Sequence, residues 1–179
     1  MFYITKNFLQ VLPIFRLESN NKEISFFIQN RYLKNCLCML KDHFKYHFKT
    51  LVYITAVDHP DNTYRFILVY ELLSVKFNSR LRVKFLIDEL TPMYSVEKIF
   101  PAASWFENEV WDMFGIFFLY KKDLTRLLTD YGFQGYPLRK DFPLTGFVET
   151  RYNTFKNAIV VDKLKLAQAP RLAPSVTPW

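Results

Sequence analysis

The sequence predicts an α+β fold: a mostly antiparallel sheet with helices packed on one side, followed by a long extended C-terminal arm. Short apolar runs of strand length alternate with two stretches of helical periodicity between residues 24 and 115. The order of a strand, a helix and three successive strands is typical of an antiparallel sheet covered by helices on one side. After about residue 130 the periodicity disappears, while three of the four glycines and five of the nine prolines follow.

The first strand and the first helix are predicted before residue 45. Residues 24–28 form an apolar run of strand length. Within residues 31–44 four apolar side chains recur at spacings of four, three and four: Leu33, Leu37, Leu40 and Phe44. This spacing predicts a helix with that stripe packed on the sheet.

Three strands in a meander are predicted next. Residues 51–57 are rich in β-branched side chains, and residues 58–62 are turn formers. A long strand pattern covers residues 64–77, with a bulge or bend expected at residues 72–74. Residues 80–87 then alternate strictly between apolar and other side chains, which predicts a half-buried antiparallel strand with a solvated basic face.

A second helix is predicted after Pro101, which suits the first helical position. An apolar stripe marks its buried side: Ala103, Phe106, Val110, Met113 and Phe114. Gly115 stands where a left-handed terminating residue is expected. We expect Trp105 and Trp111, both on this helix, to lie in the core.

Two segments are predicted, an α+β domain over residues 1–130 and an extended arm over residues 131–179. The arm holds seven Lys/Arg and three Asp/Glu residues together with many aromatic residues. A structureless stretch of this length is unusual inside a compact domain. We therefore expect the arm to wrap around another protein.

Composition limits the class of protein. A net charge of +7 admits nucleic acid, anionic lipid or acidic protein partners. The longest apolar run, residues 113–120, is shorter than the roughly 18 residues that a membrane span needs. Frequent Phe, Tyr, Ile, Lys and Asn are typical of an AT-rich coding sequence such as an organelle genome. The first 15 residues lack a targeting pattern, so we expect synthesis at the site of function or numbering after processing.

No set of residues predicts catalysis, cofactor binding or metal binding. His43 and His47 are four apart without a third ligand nearby, and Cys36 and Cys38 do not have zinc spacing. Four cysteine ligands for an iron–sulfur cluster are not available from two cysteines. Glu107, Glu109 and Asp112 lie on one predicted helix, and such an acidic face is usually solvated or matched by basic residues.

From the residues alone, three classes stay open in order of preference: a scaffold for partner proteins, a nucleic-acid binder and an enzyme. The basic strand at residues 80–87 lacks the exposed aromatic side chains on which an RNA-binding sheet stacks bases.

One long motif changes this balance. Residues 111–120 read WDMFGIFFLY, and residues 127–152 read LLTDYGFQGYPLRKDFPLTGFVETRY. Together with the sequence back to about residue 50, they closely resemble the 30-kilodalton subunit family of respiratory complex I. The chain departs from the usual family pattern at Asn108 for arginine, at residues 121–122 (two lysines) for His-Pro, and at Asn153 for aspartate.

The resemblance implies a structural and assembly subunit in the peripheral arm of the complex, on the matrix side of the mitochondrial inner membrane. Its implied partners are the 49-kilodalton subunit and the subunit that carries the last iron–sulfur cluster, with no nucleic acid. The flavin and the clusters would belong to neighbouring subunits, so this chain would bind no cofactor. Candidate partner contacts are Glu107, Glu109, Arg126, Tyr131, Arg139, Lys140, Asp141 and Arg151.

Overall fold

Five strands form the central sheet of the protein. The computed structural model describes residues 12–20 and 23–171, so the opening residues 1–11 and the last residues 172–179 lie outside the described part. The strands are β1 (Ile14–Asn20), β2 (Glu23–Ile28), β3 (Thr50–Asp58), β4 (Phe66–Ser74) and β5 (Ser79–Ile87). Their order in the sheet is β1-β2-β5-β4-β3.

The sheet is mainly antiparallel, which confirms the predicted fold class. Only the β2–β5 pairing is parallel within the described sheet. The predicted bulge or bend at residues 72–74 is wrong. Strand β4 pairs with β5 without a register shift as far as Ser74. The irregularity instead lies in β3, between Leu51 and Tyr53. Strand β1 was not predicted, because charged Arg16 and Glu18 interrupt its apolar pattern.

Two helices pack on one face of the sheet. Helix α1 (Leu33–Asp42) follows a single 3-10 turn (Asn30–Tyr32), and helix α2 (Ala103–Phe114) ends at Gly115 with φ of 76°. The left-handed end at Gly115 was predicted correctly, and an added Cβ would lie 2.6 Å from the Tyr136 ring.

Phe44 does not belong to the buried stripe of α1. Leu33, Leu37 and Leu40 are fully buried as predicted, but Phe44 is 69% exposed. The reason is that the helix ends at Asp42 and His43 turns to an extended backbone, so the spacing of four no longer keeps Phe44 on the same face.

One apolar core joins the helices to the sheet. Alternate residues of β4 and β5 enter it, including fully buried Tyr70, Phe66 and Phe85. The opposite side of β5 is basic as predicted but only partly solvated, because Arg80 is exposed whereas Arg82 and Lys84 are half-buried. Arg82 donates from Nε to Glu71 Oε2 at 2.8 Å, and Lys84 donates from Nζ to Glu18 Oε2 at 2.7 Å. Acidic side chains of β4 and β1 therefore neutralise Arg82 and Lys84.

Shorter strands complete the described structure. β6 (Met93–Tyr94) and β7 (Phe118–Leu119) form a parallel pair. β8 (Val148–Asn153) and β9 (Ala158–Lys163) form an antiparallel hairpin. Across the described ranges, no helix combines the length and the apolar character that spanning a membrane requires.

The chain divides into two compact units, Met1–Phe142 and Pro143–Trp179. The first unit contains the sheet and both helices, and the second contains the β8–β9 hairpin. Residues 131–142, which the sequence assigns to the arm, belong to the first unit. The wrapping role of the arm stays a prediction.

We predict that replacing Leu37 by alanine lowers the free energy of unfolding by about 2–5 kcal/mol, because a fully buried side chain leaves a cavity. The matched control is Phe44→Ala, which should change it by less than about 0.5 kcal/mol because that side chain is largely exposed. Urea unfolding of the full chain measures both. Equal losses for the two variants would contradict the placement of Phe44 outside the core.

Candidate subunit interface

Glu107 on α2 is completely buried and fixes the segment that precedes the helix. Its Oε1 accepts the Val96 N–H at 2.8 Å, and its Oε2 accepts the Ser95 hydroxyl at 2.8 Å. Burial raises the pKa of this carboxyl, although the hydrogen bonds from Val96, Ser95 and Lys121 oppose that rise. Glu107 therefore has an internal role, and it offers no surface to a partner.

Lys121 is the cation that faces Glu107. Its Nζ lies 3.4 Å from Glu107 Oε2 and donates to the Ser104 carbonyl oxygen at 2.7 Å, and its side chain is fully buried. The carboxylate and the ammonium thus share one apolar environment, where removing either partner would leave the other charge unpaired. The acidic face of this helix, which the sequence predicts to be solvated or matched by basic residues, is matched at this position by Lys121.

Asp112, five residues further along α2, holds the segment that follows the helix. Its Oδ2 accepts the backbone N–H groups of three consecutive residues, at 3.1 Å from Leu127, 2.7 Å from Leu128 and 2.9 Å from Thr129. Its Oδ1 accepts the Thr129 hydroxyl at 2.6 Å. Burial raises the pKa of Asp112, but these hydrogen bonds outweigh burial and leave the pKa below its ordinary value.

Asp58 connects the end of β3 to the chain after residue 138. Arg65 donates to both oxygens of Asp58, at 2.9 and 3.1 Å, and the Lys140 backbone N–H donates to Oδ2 at 2.8 Å. The Arg65 hydrogen bond is the main reason why the pKa of Asp58 is lowered. Asp141 also pairs with Arg65, at 3.1 Å.

Arg139 covers the carboxyl end of α2. Its Nε donates to the Phe114 carbonyl oxygen at 2.6 Å, and its guanidinium forms an ion pair with Glu89. The same guanidinium lies 4.6 Å from the Tyr136 ring centroid. A cation at this end of a helix satisfies carbonyl groups that have no partner inside the helix. Residues 131–142 are therefore tied to the first unit.

The predicted contact residues fall into three groups. Arg126 and Arg139 lie around the end of α2, where Arg126 Nη1 donates to the Gly135 carbonyl oxygen at 2.9 Å, and Asp141 pairs with Arg65. Tyr131 is completely exposed and Glu109 is half-buried. The rest lie as follows: Glu107 is internal, Lys140 has an exposed side chain, and Arg151 pairs with Asp162 at 2.5 Å across the second unit's hairpin. A partner contact at the exposed positions stays a prediction.

Four apolar side chains on the segments that follow α2 are exposed, and sequence reasoning identified only Tyr131 among them. We call this set the loop surface, and it consists of Leu127, Leu128, Tyr131 and Leu138. Their side chains are 38, 63, 102 and 56% exposed. Asp112 fixes the backbone of Leu127 and Leu128, while their side chains stay exposed.

The two tryptophans of α2 differ from each other. Trp105 is 66% exposed, so its predicted core position is wrong, because it lies on the helix side that faces away from the sheet. Trp111 is half-buried against the rings of Phe117 and Tyr136, with centroid distances of 6.0 and 5.7 Å.

The three departures from the usual family pattern have different surroundings. Lys121 is the internal partner of Glu107, as described above. Asn153 caps the turn of the β8–β9 hairpin, where its Oδ1 accepts the Phe155 N–H at 2.9 Å. Asn108 is 9% exposed, and its Oδ1 has no hydrogen-bond partner among the described residues.

The cysteines do not fit an iron–sulfur cluster. Cys36 is buried, and burial raises the pKa of its thiol to about 12, whereas Cys38 is exposed. No group of three or more potential metal ligands occurs in the part of the chain that the structure describes. His43 and His47 lie after the end of α1, so they do not share a helix face.

An α+β domain whose buried carboxylates hold an apolar loop at the surface has the features of a subunit that contacts other proteins. The particular family is defined by sequence. The chain belongs to the family described as "Respiratory-chain NADH dehydrogenase, 30 Kd subunit", whose model matches residues 26–148.

Known relatives agree with this assignment. "NADH-ubiquinone oxidoreductase subunit 9" of Prototheca wickerhamii is 46% identical over 161 residues, covering 90% of this chain and 84% of the relative. "NADH dehydrogenase [ubiquinone] iron-sulfur protein 3" of Solanum tuberosum is 42% identical and covers 99% of this chain and 95% of the relative. A chain of the membrane-bound sulfane sulfur reductase, an archaeal respiratory membrane complex, is similar in structure, with a TM-score of 0.68, 28% identity and coverage of 79% of this chain and 85% of that chain.

We predict that Asp112→Asn lowers the free energy of unfolding by about 2–3 kcal/mol, because the hydrogen bonds to a buried charge are weakened. The fold lowers the pKa of Asp112 below its ordinary value of 3.8. Its stabilisation is therefore complete above that value and is lost as the pH falls through the lower folded value. Urea unfolding from pH 7 to pH 2 should show a shallower acid loss in the variant.

The control for this prediction is Asp61→Asn, which changes an exposed aspartate in the turn after β3. It should leave both the stability at pH 7 and the acid loss unchanged. A similar acid loss in Asp112→Asn and in the unmodified chain would contradict the role of Asp112.

Proposed function

We propose that the chain is a non-catalytic structural and assembly subunit of the peripheral arm of respiratory complex I, the enzyme that transfers electrons from NADH to ubiquinone and translocates protons. The observation that carries this proposal is the family match over residues 26–148. The high coverage of relatives named for the same oxidoreductase supports it.

The loop surface supplies the contact region in this proposal. Exposed leucine and tyrosine side chains on a backbone fixed by hydrogen bonds lose little freedom on association. The partners we propose are the 49-kilodalton subunit and the neighbouring subunit that carries the last iron–sulfur cluster. Charged contacts come from half-buried Glu109 and from the exposed side chains of Lys140, Asp141 and Arg151.

Electron transfer is assigned to neighbouring subunits. The full sequence has two cysteines, and one of them is a buried thiol with a pKa of about 12. A cluster needs several accessible thiolate ligands. We therefore propose that this chain binds neither flavin nor cluster and that it orients the subunits that do.

The proposed location is the matrix side of the mitochondrial inner membrane. In this proposal the chain is held at the membrane through the other subunits of the complex. The frequent Phe, Tyr, Ile, Lys and Asn residues support synthesis from an organelle genome.

We predict that the full chain with an N-terminal tag migrates with a very large NADH-oxidising assembly on a native gel after gentle solubilisation. Leu128→Asp should reduce the amount in that assembly about tenfold, since a loss of 1.4 kcal/mol in association has this effect. The matched control is Phe44→Asp, because Phe44 and Leu128 have similar exposure, 69 and 63%.

Two outcomes would overturn the proposal or part of it. Migration with RNA-rich particles, or as a free small protein, would mean that the chain is not a subunit of this complex. Normal incorporation of Leu128→Asp would keep the subunit role and remove the loop surface from the contacts.

We predict that a chain shortened after Phe142 still folds but is not incorporated into the assembly. The first unit keeps its internal hydrogen bonds, including Leu138 N–H to the Met113 carbonyl oxygen at 3.1 Å. Urea unfolding measures the folding, and the native gel measures incorporation. Normal incorporation of the shortened chain would contradict a partner-wrapping role for the second unit.

A further inference from the structure

A pocket of about 510 Å³ opens beside α1, on residues that the loop surface does not use. Its volume falls within the range of about 300–1,000 Å³ that is typical of ligand sites. Three exposed lysines line it, Lys34 from α1, Lys98 from the turn after β6, and Lys122 from the segment after β7. Glu97 is the single acidic lining residue, so the lining carries a net charge of +2.

The acidic residues of this chain do not neutralise these lysines. All 17 Asp and Glu residues lie in the described part of the sequence. Within those residues, none of the three lysines forms a salt bridge, whereas Lys84, Lys121, Arg65, Arg82, Arg126, Arg139 and Arg151 all do. Glu97 is the one carboxylate among the lining residues, so the excess positive charge of the lining is available to carboxylates of another molecule.

Two tyrosines hold one of the lysines in place. The Tyr94 and Tyr120 rings are parallel, with centroids 5.8 Å apart. Lys34 Nζ lies 4.8 Å from the Tyr94 centroid and 5.2 Å from the Tyr120 centroid. Such cation–π contacts fix the ammonium group without neutralising its charge. Lys34 is therefore positioned at the pocket and is still able to bind an anion.

Lys122, which lines the pocket, directly follows the buried Lys121 in the chain. Lys121 is fully buried against Glu107, whereas Lys122 is exposed and lines the pocket. The ion pair between Glu107 and Lys121 therefore fixes the backbone beside Lys122. Lys122 itself provides a cation at the surface.

We propose that this pocket binds an acidic peptide segment of a neighbouring subunit. The inference rests on the proposed function, because that function supplies the neighbouring subunit. Three ammonium groups from three separate segments suit several carboxylates along one chain. A phosphate site, in contrast, is commonly built from backbone N–H groups or an arginine fork, and the lining residues include no arginine.

Cys38 provides the readout. It is exposed and lines the pocket one helical turn after Lys34, whereas Cys36 is buried with a thiol pKa of about 12. Because the thiolate is the reactive form, a maleimide reagent at neutral pH should modify Cys38 selectively. A Cys38→Ser variant checks that the signal comes from this residue.

The experiment measures the rate of Cys38 modification in the full-length chain. A glutamate oligopeptide at low salt should slow the reaction about tenfold, and about 1 M NaCl should restore the rate because the Debye length then falls to about 3 Å. The triple variant Lys34→Gln, Lys98→Gln and Lys122→Gln should lose this protection. The matched control, Lys45→Gln, Lys76→Gln and Lys156→Gln, removes the same charge elsewhere and should keep it.

Pyrophosphate is the comparison probe. Equal or stronger protection by pyrophosphate would overturn the peptide assignment in favour of a phosphate ligand. Protection by neither probe, or protection that survives in the triple variant, would overturn the site itself.

The assembled complex gives the second test. Cys38 should react at least about tenfold more slowly there than in the free chain, as expected for a site covered by a partner. Normal assembly with fully reactive Cys38 would overturn this inference and leave the proposed function intact. Protection by the oligopeptide without any assembly would overturn the proposed function and the assignment to a neighbouring subunit, and would leave a site for acidic peptides.

Discussion

The buried carboxylates of α2 are the constraint on which much of the structure around this helix depends. Glu107 and Asp112 are five residues apart, so they leave the helix in different directions. Glu107 fixes the segment that precedes the helix, and Asp112 fixes the segment that follows it. Removing two carboxylates from water is costly, and here the hydrogen bonds around each of them offset that cost.

This arrangement connects the interior to the surface. The Glu107–Lys121 pair fixes the backbone beside Lys122 and thereby one side of the basic pocket. Asp112 fixes the backbone of Leu127 and Leu128 and thereby the apolar loop surface. Two surfaces of different chemistry are therefore positioned by one helix of 12 residues. A substitution of Glu107 would therefore disturb the basic pocket, and a substitution of Asp112 would disturb the loop surface.

Much of the fold could be predicted from the sequence because local patterns determine it. The alternation along β5 and the left-handed position of Gly115 depend on neighbouring residues only. The burial of Glu107 and Asp112 could not be predicted, because it depends on donors such as Ser95 and Thr129 that lie 12 and 17 residues away in sequence. The ion pair between Arg82 and Glu71 could not be predicted either, because the register of β4 and β5 brings the two residues together. For the interface, charge and aromatic content predicted candidate contact residues near the end of α2. Only the structure shows that Tyr131 is exposed and that Glu107 is buried.

The irregularity in β3 has a consequence for the chain before it finds its partners. β3 is an edge strand of the five-stranded sheet, and its regular pairing with β4 is interrupted between Leu51 and Tyr53. An edge strand with an unbroken row of unpaired backbone N–H and C=O groups is a template on which a second copy of the chain can add a strand. The interruption bends that row and shortens the stretch available for such pairing. The regular stretch along which two newly made subunits could pair through β3 is thereby limited to residues 53–58.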